Sequence, residues 1–105
     1  MPRFDVYRNS SAQAAVTPYL LDVQSDLLQG LETRIVIPLR RLDRFPDVKL
    51  PANLMPTFVI EGVECLLETP KLAAVPLRLL KISLTSLADR QFEIIAALDF
   101  LFHGF

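Results

Sequence analysis

The alternation of apolar and polar residues predicts a series of short strands in the first part of the chain. Residues 3–8 alternate as expected for a strand with one solvent-exposed face. Residues 19–24 and 34–39 are apolar and rich in β-branched or aromatic side chains, which predicts two further strands. Pro38 has no backbone N–H, so we expect it at the end of its strand, at a sheet edge or at a bulge.

A β-hairpin is the strongest local prediction. The apolar runs 57–60 and 63–67 flank a Glu-Gly dipeptide at 61–62, and a two-residue link that contains glycine is typical of a tight hairpin. Residues 73–77 are also apolar, but Pro76 limits them to an edge strand or an irregular one.

The segments between these runs predict loops. Residues 9–15 are small and polar, and residues 25–30 form a short connection that ends at a glycine. Leu27 and Leu28 within it cannot both face one core, so at least one is a candidate for exposure. Residues 40–56 contain three prolines and several charges, which favours a long irregular connection of the kind that often binds partners.

The period of the apolar pattern changes after Ser86, which can act as an N-cap, and a C-terminal helix is predicted from there. The apolar residues at helical spacing are Ile94, Leu98, Leu101 and Phe105, flanked by Ile95 and Phe102. We expect Ile94, Ile95, Leu98 and Leu101 to be buried against the sheet or a partner chain, and residues 102–105 to be available to a target. Strands followed by one terminal helix give an α+β fold with a small curled sheet.

Composition limits the class of function. The 105 residues are 51% hydrophobic and 22% charged, with a formal net charge of −1. We therefore expect a single domain over residues 1–105 with a real core, and no long-range attraction for nucleic acid or an anionic membrane. The N-terminus lacks the apolar segment of a secretory signal and no run is long enough to span a membrane, so we expect a cytoplasmic protein.

Candidate catalytic residues are scarce. His103 is the one histidine and Cys65 the one cysteine, so neither a histidine metal cluster nor an internal disulfide is expected. Cys65 is predicted to be a small buried residue. No glycine-rich phosphate loop occurs. We expect no catalytic residue, metal or cofactor, and we favour a binding protein that acts through its surface.

Five segments of the chain resemble the CcdB toxin family. The segment DVQSD at 22–26, followed by two leucines, precedes VIPL at 36–39 with the spacing seen in that family. The opening FDVY at 4–7, AAVP at 73–76 and the terminal FHGF at 102–105 occur in the same order.

The resemblance implies a fold and a function. CcdB-like proteins are homodimeric toxins of type II toxin–antitoxin modules, with an SH3-like β-barrel of antiparallel strands and a C-terminal α-helix, as in the Kid and MazF toxins. They bind the DNA gyrase A subunit and trap the gyrase–DNA cleavage complex, and a CcdA-like antitoxin neutralises them. The resemblance therefore implies an inhibitor that is not an enzyme. It implies neither sequence-specific binding to nucleic acid nor association with a membrane.

Gyrase contacts in the family come from the aliphatic pair after DVQSD, from an Asn and a Phe on the helix, and from the final Trp-Gly-Ile. The matching gyrase-binding positions here are Leu27, Leu28, Asp99, Phe102, His103, Gly104 and Phe105. His103 replaces the family Trp, and Asp99 replaces the family Asn. Loss of an indole from an anchor position costs on the order of 2 kcal/mol, or ~30-fold in affinity. The resemblance also implies that loops 9–15 and 40–56 contact the antitoxin.

Two alternatives remain open from the sequence. The Trp-to-His departure is compatible with a CcdB homologue that has lost gyrase poisoning and binds only the antitoxin. A MazF-like endoribonuclease is a second alternative on the shared fold, but it would need a basic groove and a general acid–base set. The net charge of −1 and the single terminal histidine argue against that activity.

Overall fold

The computed structural model describes residues 2–28, 30–45 and 51–104, and these form a curled antiparallel sheet of seven strands with one helix. The strands are β1 (Asp5–Arg8), β2 (Tyr19–Asp22), β3 (Thr33–Arg41), β4 (Thr57–Ile60), β5 (Val63–Leu67), β6 (Ala73–Pro76) and β7 (Ser83–Ser86), and the helix is α1 (Gln91–His103). The predicted α+β fold, with a small curled antiparallel sheet and a C-terminal helix, is confirmed, and the sheet forms a half-barrel.

Strand β3 lies at the centre of the sheet and pairs with three other strands. It runs nine residues, longer at both ends than the predicted 34–39. One side pairs with β2, while on the other side residues 39–41 pair with β5 and residues 33–36 pair with β6. Two strands therefore share one side of β3, with a gap between them.

Pro38 lies in the middle of β3, so the predicted position at a strand end, an edge or a bulge is wrong. It sits opposite Leu20 of β2, and its carbonyl accepts a hydrogen bond from the Glu68 N–H on the other side (2.9 Å). The N and C=O of one strand residue point to the same side, so the missing N–H faces the gap between β5 and β6. No ladder hydrogen bond to β2 is lost, which makes the proline tolerable there.

The predicted hairpin is confirmed as β4 and β5. Glu61 and Gly62 have φ values of 52° and 78°, and two positive φ angles are what a type I′ hairpin turn requires. The Tyr19 hydroxyl donates to Glu61 Oε1 (2.8 Å), and Arg8 forms an ion pair with the same carboxylate (3.1 Å). Burial and this hydrogen bond raise the pKa of Tyr19 to about 12.

The sheet has an apolar cluster on each face. The larger cluster lies between the sheet and α1 and comprises Phe4, Val6, Tyr19, Leu21, Val23, Ile37, Leu39, Phe58, Ile60, Cys65, Leu67, Leu87 and Ile94. On the opposite, outer face, Tyr7, Leu20, Val36 and Leu80 form a second cluster. Because the outer face is covered, β1 buries both Val6 and Tyr7, and the prediction of one solvent-exposed face for this strand is wrong.

The helix begins at Gln91, later than the predicted start after Ser86. Ser86 is the last residue of β7, which pairs with β1, and its hydroxyl accepts from the Ala88 N–H (3.1 Å) ahead of a short 3₁₀ turn. The strand β7 was not predicted because its pairing partner lies near the other end of the chain. Within the described ranges, no helix is long and apolar enough to cross a membrane.

Two predicted loops have more structure than expected. Within 25–30, Asp26–Leu28 form a 3₁₀ turn. Within 40–56, β3 continues to its last residue and a second 3₁₀ turn follows at Leu42–Arg44. Gln29 and residues 46–50 of these segments lie outside the described residues.

The helix uses one face for the core. Ile94 and Ala97 are buried, and Ile95 and Leu98 are half-buried against the larger cluster, as the helical spacing predicts. Phe92 on the same helix is 80% exposed.

We expect Ile94→Ala to lower the free energy of unfolding by about 2–5 kcal/mol, because it leaves a cavity under α1. Phe92→Ala on the exposed face is the matched control and should change it by less than about 0.5 kcal/mol. Urea unfolding of both variants measures the difference. Equal losses would contradict the assignment of the two helix faces.

Candidate protein-binding site

The site residues predicted from the sequence fall into two surface groups. One is the 3₁₀ turn Asp26–Leu28, named here the presenting turn. The other is the C-terminal end of α1, named here the helix end, which comprises Asp99, Phe102, His103 and Gly104. Phe105, the remaining predicted residue, lies outside the described residues.

The presenting turn displays apolar side chains to solvent. Leu27 is 93% exposed and Leu28 is 49% exposed, and no residue of the turn is buried. The predicted exposure of at least one of these leucines is confirmed. Leu31, also 49% exposed, follows shortly after in the chain. Single exposed leucines are common, but two adjacent ones in an ordered turn form an apolar surface suited to a partner.

Local hydrogen bonds shape the turn. The Leu27 N–H donates to the Ser25 hydroxyl (3.2 Å) and the Leu28 N–H donates to the Ser25 carbonyl (3.0 Å). The Arg3 backbone N–H donates to Asp26 Oδ1 (2.7 Å), which joins the start of the chain to the turn. The polar residues of DVQSD thus build the turn, while the leucines after them face outward.

A buried ion pair lies immediately before the turn. Arg34 Nε donates to Asp22 Oδ2 (2.8 Å) and Arg34 Nη2 donates to Asp22 Oδ1 (3.0 Å), and both side chains are buried. Burial raises the pKa of Asp22, while the hydrogen bonds from Arg34 and from the Gln24 N–H oppose that shift. This pair was not predicted. The available signal was an aspartate and an arginine placed at the ends of two strongly apolar runs.

The helix end carries polar and aromatic groups on adjacent positions. Asp99, Phe102 and His103 are spaced i, i+3 and i+4, which puts them on one side of the helix, and all three are exposed, Phe102 by 65%. Gly104 takes φ 78° and donates its N–H to the Phe100 carbonyl (2.8 Å). Only glycine adopts this C-cap conformation readily, so Gly104 has a structural role in ending the helix.

The two groups are suited to binding through apolar contact. Among the described residues, no cluster of three or more His, Cys, Asp or Glu side chains could hold a metal ion. Cys65 is buried, as predicted, and burial raises the pKa of its thiol to about 11. Arg41 forms an exposed ion pair with Asp43 (2.9 Å). The presenting turn and the helix end therefore expose apolar side chains beside charged ones.

Comparison with known proteins gives one family. The family model for CcdB protein matches residues 3–104, nearly the whole chain. The matched range contains the presenting turn and the helix end. No curated protein sequence matches the chain.

We expect Asp22→Asn to lower the free energy of unfolding by about 3–5 kcal/mol, because it leaves the buried Arg34 charge without its counter-ion. Asp26→Asn is the matched control within the same motif. It keeps an acceptor for the Arg3 N–H at an exposed position, so the change should stay below about 0.5 kcal/mol. Chemical denaturation at neutral pH measures both. A loss below about 1 kcal/mol for Asp22→Asn, the value of an exposed ion pair, would contradict the burial of the ion pair.

Proposed function

Since this chain belongs to the CcdB family of toxin–antitoxin toxins, we propose that it binds the DNA gyrase A subunit and traps the gyrase–DNA cleavage complex. The observation that carries the proposal is the exposure of Leu27 and Phe102, at two positions that match the family's gyrase contacts. Exposed apolar side chains grouped in an ordered element mark a surface that a partner often covers.

The proposed active form is a homodimer. Large apolar side chains elsewhere on the surface, including Val59 and Ile82, offer area that a second copy could cover. A two-fold dimer carries two presenting turns and two helix ends, which suits a gyrase A dimer of the same symmetry. We propose that the protein acts in the cytoplasm, because gyrase is found there.

The two departures from the family pattern lie at the helix end. His103 and Asp99 are both exposed, so neither substitution is accommodated by burial in the core. An imidazole covers less area than an indole and is a weaker partner for cations. This observation favours the second candidate function, a homologue that binds its antitoxin and no longer poisons gyrase.

The antitoxin is proposed to bind a groove on the outer side of the sheet. The groove has a volume of about 630 Å³ and runs between the 9–17 loop and the segments that follow β5 and β6. It is lined by Asn9, Ser11, Ala12, Gln13, Val16, Thr17, Leu20, Pro38, Arg40, Glu68, Lys71, Val75 and Leu79. Lys71 pairs with Glu68, the one lining carboxylate (3.5 Å), and Arg40 adds a further positive charge, so the groove favours a peptide with apolar and acidic side chains.

Gyrase poisoning can be tested directly. The purified protein, incubated with its host's gyrase, supercoiled DNA and ATP, should produce linear DNA once the enzyme is denatured. Leu28→Ser should raise the concentration needed by about 30-fold, as expected for truncating a hot-spot residue. Leu31→Ser is the control, because Leu31 has the same 49% exposure and does not match a family contact.

Two outcomes would overturn this proposal. No linear DNA at high concentration of the folded wild-type protein would favour the antitoxin-binding module. Sequence-specific cleavage of RNA by the pure protein would favour the endoribonuclease. A further outcome bears on the site alone: equal effects of Leu28→Ser and Leu31→Ser would show that the presenting turn is not a specific contact in gyrase poisoning.

The location of the antitoxin groove can be tested by reversing a charge at its rim. Lys71→Glu should slow association with the antitoxin of the same module by about two- to tenfold at low salt, because it reverses a charge at the rim of the groove. Lys81→Glu is the matched control, since Lys81 is exposed and does not line the groove. Stopped-flow association rates at two salt concentrations measure the effect. Equal slowing by both variants would contradict this location.

A further inference from the structure

Hydrophobic burial contributes little to the conformation of the presenting turn, since Leu27 is 93% exposed and Leu28 is 49% exposed. None of its three residues is fully buried. Its order depends on hydrogen bonds, and most of these are exposed to water, which can replace them at little cost. A hydrogen bond from a buried side chain is replaced less readily, because water has little access to its donor.

Gln24 makes such a bond. Its side chain is buried, and its Nε2 donates to the carbonyl of Leu28, the last residue of the turn (3.2 Å). Its Oε1 accepts from the N–H of Ile35 in β3 (3.0 Å). One side-chain amide therefore joins the end of the presenting turn to the central strand of the sheet.

The backbone of Gln24 is held as well. Its N–H donates to Asp22 Oδ1 (3.0 Å) and its carbonyl accepts from Arg34 Nη2 (3.1 Å). The buried ion pair thus fixes the position of Gln24 from one side, and Ile35 fixes its amide from the other. A rigid buried group supports the exposed turn.

We propose that Gln24 is a positioning residue that orders Leu27 and Leu28 before they meet their target. It does not touch the target; its amide holds the carbonyl of Leu28 in place. Ordering a side chain on binding costs affinity, so a turn that is ordered in advance binds more tightly. The proposal rests on the proposed function only for the identity of the target, a gyrase A surface.

Two variants separate the two hydrogen bonds of the amide. Gln24→Met removes both. Gln24→Glu keeps an acceptor for the Ile35 N–H and, as a carboxylate, loses the donor to the Leu28 carbonyl. Amide hydrogen exchange of the isolated protein needs no gyrase: the Ile35 N–H reports on its own bond to Gln24, and the Leu28 N–H, which donates to the Ser25 carbonyl, reports on opening of the turn.

The exchange experiment has a specific expected pattern. Exchange of the Leu28 amide should rise at least about tenfold in both variants, since both release the end of the turn. The Ile35 amide should lose protection only in Gln24→Met. Unchanged exchange at Leu28 in both folded variants would overturn the positioning role.

A binding experiment then tests the consequence. Gln24→Glu should weaken binding to a purified gyrase A fragment at least about tenfold. Cys65→Ala, which alters the core on β5 away from the turn, is the control for lost stability and should bind as the wild type does. In a protein that already carries Leu27→Ser and Leu28→Ser, Gln24→Glu should have no further effect, because the groups it positions are absent.

The outcomes distinguish the two proposals. An equal loss of binding from Gln24→Glu with and without the leucines would overturn the positioning role, since it would indicate a general structural effect. Failure of the wild-type protein to bind the fragment would overturn the proposed function. The exchange pattern at Leu28 and Ile35 would still decide whether Gln24 orders the turn.

Discussion

The burial of Arg34 and Asp22 is the constraint on which the site depends. Two charges removed from water are tolerable only when they are paired and hydrogen-bonded. The bidentate contact supplies that pairing, and it requires the end of β2 and the start of β3 to stay in one register. Gln24 adds its backbone and side-chain hydrogen bonds to the same network. The backbone immediately before the presenting turn is therefore held in a single position.

The central strand β3 imposes a second constraint. Because β5 and β6 share one of its sides, the chain must leave a gap between them, and Pro38 occupies the position where a missing N–H does least harm. The sheet is then covered on both faces, by α1 on one and by Leu80 and its neighbours on the other. The apolar side chains that stay outside belong to surface turns, strand edges and the exposed side of the helix.

Under the proposed function, these outer elements make the contact with the partner. The presenting turn offers leucines, and the helix end offers Phe102 beside Asp99 and His103. The DVQSD motif contributes support rather than contact, since its polar groups bond to the protein itself. Gly104 likewise ends the helix through a left-handed conformation. A sequence motif shared with these toxins can therefore include residues that hold the binding surface in place, as well as residues that form it.

Local sequence determined the elements whose causes are local. The Glu-Gly dipeptide specified the hairpin, the apolar spacing specified the buried face of α1, and adjacent leucines in a turn implied exposure. Tertiary structure decided the rest. The strand β7, the burial of Tyr7 and the pairing of Arg34 with Asp22 depend on segments far apart in the chain. Their residues look unremarkable alone, because a polar or alternating residue is buried only when a distant segment covers it and supplies its partner.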